Sequence, residues 1–273
     1  MTETQRQGDR GGWRLACEAL TVRRGGHTAV RAVTFAMRAD ECVSIVGPNG
    51  SGKTTLLRAL LGLLPPSAGR VRLNGRDLSD VAPRARALFA AYVPQGLDRV
   101  PAFSIREVVA GGRYAHLGAF GRLAVADQEA IQAALERCGL AILADRAFNT
   151  LSAGERQKAL IAAAIAQDPQ IMFLDEPSTA LDPGYQLDLL RILREWHAGG
   201  RGLLVVSHDL QLPAALGGRI VALRAGGVAA DGLAADVLAP AVLSRIYDAP
   251  FGLLRTADGV ALALPQWWTG PAR

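Results

Sequence analysis

The sequence predicts an α/β fold, and three observations carry that prediction. Short, mostly apolar runs at residues 42–46, 171–174 and 203–207 have the length and composition of buried strands. Helical stretches alternate with them, as in a sheet covered by helices. One long helical block, residues 97–167, interrupts the alternation, and the N-terminal region reads instead as antiparallel strands.

Taken in order, residues 15–22 and 29–37 alternate apolar and polar side chains, the period of a half-buried strand. Arg23, Arg24, Gly25 and Gly26 between them read as a hairpin turn. The run at 42–46 leads directly into a glycine-rich loop. Residues 55–64 then read as a helix stopped by Pro65 and Pro66, and 71–73 as a strand closed by an Asn74-Gly75 turn. Within the helical block, 105–110 is a short helix, 126–138 places Ile131, Leu135 and Cys138 on one face, and 154–167 is an alanine-rich helix. Residues 171–174 form a strand that ends in Asp175 and Glu176. Pro183 opens a helix at the position that tolerates proline, with Leu190, Leu193 and Trp196 sharing a face. Residues 203–207 are a further strand, and 219–223 with 228–230 a closing hairpin.

Composition narrows the function classes. Half of the 273 residues are hydrophobic and 20% charged, which places the chain among globular proteins. No segment approaches the ~18–20 uninterrupted apolar residues of a membrane span; Arg58 interrupts the longest leucine-rich run. The first fourteen residues are polar, with no apolar core of a secretory signal. Cys17, Cys42 and Cys138 are far apart and form no metal or disulfide spacing. A net charge of +5 without any Lys/Arg block favours a solvated basic surface over one that meets nucleic acid or anionic lipid headgroups.

Residues 47–54 (Gly47, Pro48, Asn49, Gly50, Ser51, Gly52, Lys53, Thr54) match the phosphate-binding pattern G-x-x-x-x-G-K-[ST] in full, between a strand and a helix. A polyphosphate needs converging N–H donors, glycines let the backbone approach, and a helix N-terminus attracts anions. Lys53 is expected to reach the β- and γ-phosphates, Thr55 to close the loop, and the Thr54 hydroxyl to ligate Mg²⁺. The buried strand ending in Asp175 and Glu176 presents carboxylates at its C-terminal edge. Asp175 is expected to help hold Mg²⁺, and Glu176 to act as general base toward the attacking water.

The segment Leu151, Ser152, Ala153, Gly154, Glu155, Arg156, Gln157 resembles the LSGGQ signature of the ATP-binding cassette ATPases. The resemblance covers nearly the whole chain. It implies a P-loop NTPase core, a RecA-like mixed sheet flanked by helices, with N-terminal antiparallel strands and an inserted helical subdomain. The corresponding division is a single ATPase domain over 1–273, with 1–96 and 168–240 as nucleotide-binding core, 97–167 as helical subdomain, and 241–273 as C-terminal extension. Gln95 resembles the Q-loop glutamine that contacts Mg²⁺ and links the core to the helical insertion. Ser178, Thr179, Ala180, Leu181 and Asp182 resemble the D-loop, and His208 the switch histidine; His27, His116 and His197 read as structural or surface residues.

In this family Ser152, Ala153, Gly154 and Glu155 of one copy close over the ATP of another. One P-loop and one signature per chain therefore imply a homodimer with two composite sites, with ATP and Mg²⁺ as ligands. Three departures stand out. Ala153 replaces a signature glycine and keeps a small side chain. Ala163 stands where an arginine is frequent. The aromatic that stacks on adenine has no match in the first hairpin, where Arg24 is the candidate to stack a guanidinium on the base, the alternative being a solvated turn arginine.

Within the family the chain resembles ATPase subunits of importers for iron–siderophore complexes, haem and cobalamin. Gly112, Arg113, Tyr114, Ala115 and His116 resemble their GRxPH segment, with Ala115 for proline. Asp145-Arg146, the run from Gln157 to Leu160, and the end around Leu243, Tyr247, Phe251 and the strand-like 259–264 also fit. Trp267 and Trp268 read as core cover. The resemblance implies two transmembrane permease subunits on other chains, a substrate-binding protein, no nucleic acid, and a peripheral location at the cytoplasmic face of the membrane. The alternatives are another importer or an exporter, and a cassette ATPase for iron–sulfur cluster assembly.

Overall fold

The structure, a computed structural model, describes residues 14–97, 102–117, 121–179, 181–255 and 261–266. The N-terminal alternation becomes β1 (Arg14–Arg24) and β2 (His27–Arg38), paired antiparallel around a Gly25-Gly26 turn in which both glycines have positive φ. Both strands run longer than the sequence pattern predicts. Ala19 and Ala32 adopt φ near +46 and +47, and the register shifts around them, so bulges carry the pairing past the point where alternation fails.

β3 (Cys42–Val46) is buried at every residue and feeds α1 (Lys53–Leu60). That helix starts two residues earlier than the sequence suggests and ends four earlier, unwinding at Gly62 (φ +71) ahead of the proline pair. β4 (Ala68–Leu73) and β5 (Arg76–Asp77) complete a four-stranded antiparallel sheet in the order β2-β1-β4-β5.

The sequence reading missed α2 (Pro83–Phe89) and β6 (Ala90–Val93). No residue of α2 is buried, so it shows no apolar period. The helical insertion contains α3 (Ile105–Gly111), a 3₁₀ turn over Gly112–His116, α4 (Val125–Arg137) and α5 (Ala153–Ala166). α4 buries Ile131 and Leu135 as expected, with Ala134 beside them.

β7 (Ile171–Asp175), α6 (Pro183–Ala198), β8 (Gly202–Val206), α7 (Gln211–Leu216), β9 (Arg219–Arg224) and β10 (Gly227–Leu233) complete the core. The six-stranded sheet has the order β10-β9-β3-β8-β7-β6, parallel except for the β10 edge. The crossovers place the C-terminal ends of β3, β7 and β8 side by side, where Gly47, Glu176 and Ser207 follow. The buried face of α6 is Leu189, Ile192, Leu193 and Trp196; Leu193 and Trp196 are as expected, Leu190 is only partly buried at the edge of the face, and Leu189 and Ile192 join it.

After α8 (Ala234–Val237) and α9 (Pro240–Tyr247), β11 (Phe251–Arg255) pairs with β12 (Ala261–Pro265). Leu243, Ile246 and Phe251 pack with Val46, Ile220 and Ala222, so this extension backs the strand that leads into the glycine-rich loop. Ala180, residues 259–260 of the expected final strand, and Trp267 with Trp268 lie outside the described residues.

Candidate functional site

The glycine-rich loop is shaped by close approaches that exclude side chains. Gly47 (φ +144) lies against the backbone of β9, where a Cβ would sit 2.1 Å from the Leu223 carbonyl oxygen. Gly52 (φ +99) lies against β2, where a Cβ would sit 2.2 Å from the Ala29 oxygen. α1 therefore begins at a left-handed Gly52, with no side-chain cap and no acidic residue in its first turn. The amides of Gly50, Gly52, Lys53, Thr54 and Thr55 have no partner among the described residues. Unbonded amides and the positive end of a helix dipole form an anion cradle.

Lys53 is 6% exposed, and its Nζ donates to the carbonyls of Gly47 (2.8 Å) and Pro48 (3.0 Å), which aims the ammonium along the loop. Burial lowers its pKa, while the nearby charges of Glu176 and Asp175 pull it back up. Ser51 is buried, with an unpartnered hydroxyl. Pro48 is half-buried, and Asn49 and Gly50 are exposed.

Thr54 Oγ1 donates to Asp175 Oδ1 at 2.8 Å, across 121 positions of sequence. Asp175 is 2% exposed, and its other oxygen accepts from the Tyr92 hydroxyl at 3.2 Å; Arg58 Nε in turn donates to Tyr92 at 3.3 Å. A hydroxyl and a carboxylate in contact, both hard oxygen donors, fit Mg²⁺ accompanied by phosphate oxygens. Glu176 has φ +54 and donates its own N–H to the Val206 carbonyl at 2.9 Å, which turns the side chain out of the sheet. Its Oε2 accepts from Thr179 Oγ1 at 3.0 Å and is paired with His208 Nδ1. A fixed carboxylate beside an imidazole can take a proton from water and hold charge.

Arg24, Gly25, His27, Ala29, Asn49, Gly50, Gly52, Lys53, Thr54, Thr55 and Glu176 line one cleft of about 500 Å³. Arg24 lies at the hairpin edge of this cleft. His27, expected to be a structural or surface residue, closes the hairpin opposite Arg24 and lines the same cleft. Gln95 follows β6 but is exposed and makes no hydrogen bond among the described residues. His116 and His197 each hold a backbone carbonyl, those of Gln167 and Arg201.

None of the signature residues lines the cleft. Ser152 caps α5: its Oγ accepts from the Glu155 amide at 3.2 Å, and Glu155 Oε2 accepts from the Ser152 amide at 2.8 Å. That backbone hydrogen bond holds the Glu155 carboxyl below its ordinary range. Ala153 is exposed at the first helical position and Gly154 is buried.

A model of the ABC transporter family matches residues 30–179, from β2 through the segment after Glu176. The chain belongs to the ABC transporter family. It is an ABC ATPase, and among curated proteins it is 37% identical to the hemin import ATP-binding protein HmuV of Rhodopseudomonas palustris (strain BisA53), over 92% of this chain and 94% of that one. It is 35% identical to the ferric enterobactin transport ATP-binding protein FepC of Escherichia coli (strain K12), over 95% and 96% of the two chains. The fold matches a metal-chelate type ABC transporter in an inward-facing conformation at a TM-score of 0.80 and 25% identity, covering 93% of this chain and 97% of that one. Among its described residues, the ATPase has no helix long and apolar enough to cross a membrane.

Proposed function

We propose that this ATPase powers the import of an iron chelate, haem or cobalamin through two membrane permease subunits that work with a substrate-binding protein. The observation that carries this reading is full-length similarity to hemin and ferric-enterobactin import ATP-binding proteins, which extends past the family-wide core into α9 and β11. Two copies stand head to tail at the cytoplasmic face of the membrane. Each contributes its P-loop to one ATP and its signature to the other, which accounts for a cleft that contains Lys53 and Glu176 but no signature residue.

In that dimer the loop from Gly47 to Thr55 binds the phosphates through the unbonded amides and Lys53. Ser152 and the amides of Ala153 and Gly154 cover the γ-phosphate from the partner. Thr54 and Asp175 hold Mg²⁺, with Gln95 brought in from the end of β6; the ion supplies charge neutralisation for the phosphates. Glu176 accepts the proton of the attacking water, and His208 holds that carboxylate in place and faces the γ-phosphate. Phosphoryl transfer goes directly to water. ATP binding favours the closed dimer and product release the open one, a population shift set by differential affinity. The helical subdomain, 97–167, and Gln95 transmit this change to the permease. Arg24 stacks on the adenine.

The test is affinity purification from solubilised membranes together with uptake in a deletion strain. Co-purification of permease subunits, with loss of growth on one of the three cargo classes, supports the proposal. Normal uptake of all three classes overturns the cargo assignment. Absence of any membrane-associated pool overturns the transport role.

A further inference from the structure

Gly154 is the buried glycine of the signature, and what surrounds it explains why it is glycine. A Cβ there would sit 2.5 Å from Cγ of Tyr185 and 2.6 and 2.7 Å from its two Cδ atoms. These are the inner atoms of a ring, which cannot swing away as the tip of a long side chain would. Ala153, one residue earlier, is exposed, so the signature accepts alanine at one position and excludes it at the next.

Tyr185 is held by contacts from α5 and from the start of its own helix. Lys158, one turn along α5 from Gly154, places its ammonium 4.7 Å from the ring centroid and pairs with Asp188 on α6. The Tyr185 amide donates to Asp182 Oδ1 at 3.0 Å, and Asp182 caps α6 at the end of the D-loop segment. The first turn of α5 and the first turn of α6 are thus joined through one aromatic ring.

We propose that Tyr185 is a positioning residue that sets the height of the signature helix against the D-loop, so that the Ala153 and Gly154 amides meet the phosphate held by the second copy. The inference rests on the two-protomer reading above. The ring acts as a spacer. Removing it lets α5 settle toward α6, and adding a Cβ at Gly154 pushes α5 away; each displaces the amides. Aromatic contact with Gly154 and Lys158 supplies the spacing, so the hydroxyl is dispensable and phenylalanine suffices.

The experiment uses the full chain carrying Glu176→Gln, which retains ATP. It follows ATP-dependent association by light scattering and melting without nucleotide. Gly154→Ala is expected to weaken association by about tenfold or more, within the coupling range of touching residues. Tyr185→Phe is expected to associate like its parent, and Tyr185→Ala more weakly. The deciding variant is the double Gly154→Ala/Tyr185→Ala, which melts above Gly154→Ala because the clash is gone but associates as weakly as Tyr185→Ala because the spacer is gone too. A double variant that melts no higher than Gly154→Ala overturns the contact. One that recovers its melting and also associates like the parent shows that association does not need the ring and overturns the positioning role. A parent that stays monomeric with ATP overturns the two-protomer reading, and this proposal with it. That failure is told apart by being independent of positions 154 and 185.

Discussion

Replacing Glu176 by glutamine separates binding from chemistry in this site. The carboxylate is 11% exposed and held by Thr179 Oγ1 at 3.0 Å and by His208. Glutamine keeps the volume and an oxygen to accept from Thr179, and its amide N–H can donate to a neutral His208. The fold and the phosphate cradle, which is made by Lys53 and backbone amides, are therefore retained, and ATP affinity is expected to stay within about twofold of wild type, a change of ~0.4 kcal/mol. The amide cannot accept a proton from water at neutral pH. General-base assistance contributes ~10²–10⁴-fold, so kcat is expected to fall by that factor, a barrier increase of ~3–5 kcal/mol. The assay pairs phosphate release by the assembled complex with equilibrium binding of a fluorescent ATP analogue, and with light scattering to detect an ATP-bound dimer. Hydrolysis at a near-wild-type rate with unchanged binding would refute the assignment of Glu176 as base.

Lys53→Ala is expected to weaken nucleotide binding itself, by about 1.5–3 kcal/mol for loss of a charge-assisted contact, read as a rise in the dissociation constant. Tyr92→Phe removes the hydroxyl that donates to Asp175; a larger Mg²⁺ requirement, measured as stabilisation against melting by ADP with and without the ion, is the expected result, and an unchanged one rules out the contact as functional. Asp127, bonded to the Ala124 amide and to Arg113, has its pKa lowered below the ordinary 3.8. A depressed carboxyl stabilises the fold above its unfolded pKa and loses that contribution as pH falls, so Asp127→Asn is expected to melt lower than wild type at pH 7 and alike well below pH 3.8. Stacking by Arg24 does not distinguish purines, so ATP and GTP are expected to support similar hydrolysis rates. A strong preference for ATP that survives Arg24→Ala would mean that another residue reads the base, and His27 is then the first to substitute.

What was legible in the sequence follows from how local each constraint is. The phosphate loop was legible because Gly47 and Gly52 are demanded by backbone contacts that any version of this turn must make. The strands 42–46, 171–175 and 202–206 were legible because they are buried at every residue. α2 was not, since a helix with no fully buried residue leaves little period to read. On α6, Leu193 and Trp196 were legible, while Leu189 and Ile192 join the face beside Leu190 only because of how the helix lies on its neighbours. The partners of Asp175 divide the same way. Thr54 was expected from two coupled motifs, whereas Tyr92 meets it, and Arg58 meets Tyr92, only because β6 lies beside β7 and α1 packs nearby. His27 became visible only once the Gly25-Gly26 turn fixed its register against Arg24.

The two helix N-termini of the proposed composite site differ in a way that assigns them different duties. α1 begins at a glycine with no cap and no acidic side chain, so its first-turn amides and Lys53 form a strong, permanent anion site. α5 begins with a closed capping box in which Ser152 and Glu155 satisfy each other's amides. Only the Ala153 and Gly154 amides remain unbonded there among the described residues. The Glu155 carboxylate, held ionised by its hydrogen bond to Ser152 and only loosely paired with Arg146 at 3.7 Å, also sets negative charge beside that terminus. Such an end attracts phosphate weakly by itself. The P-loop can therefore hold a nucleotide in a single copy, while the signature adds its contribution only when a second copy delivers a γ-phosphate to it at close range. A weak second contact is what reversible closure requires, because a signature that bound phosphate strongly would hold the dimer shut after hydrolysis. Glu155→Gln keeps the capping geometry and removes the charge, so it is expected to tighten ATP-dependent association and slow product release. A looser dimer in that variant would show that the carboxylate supports closure instead of limiting it.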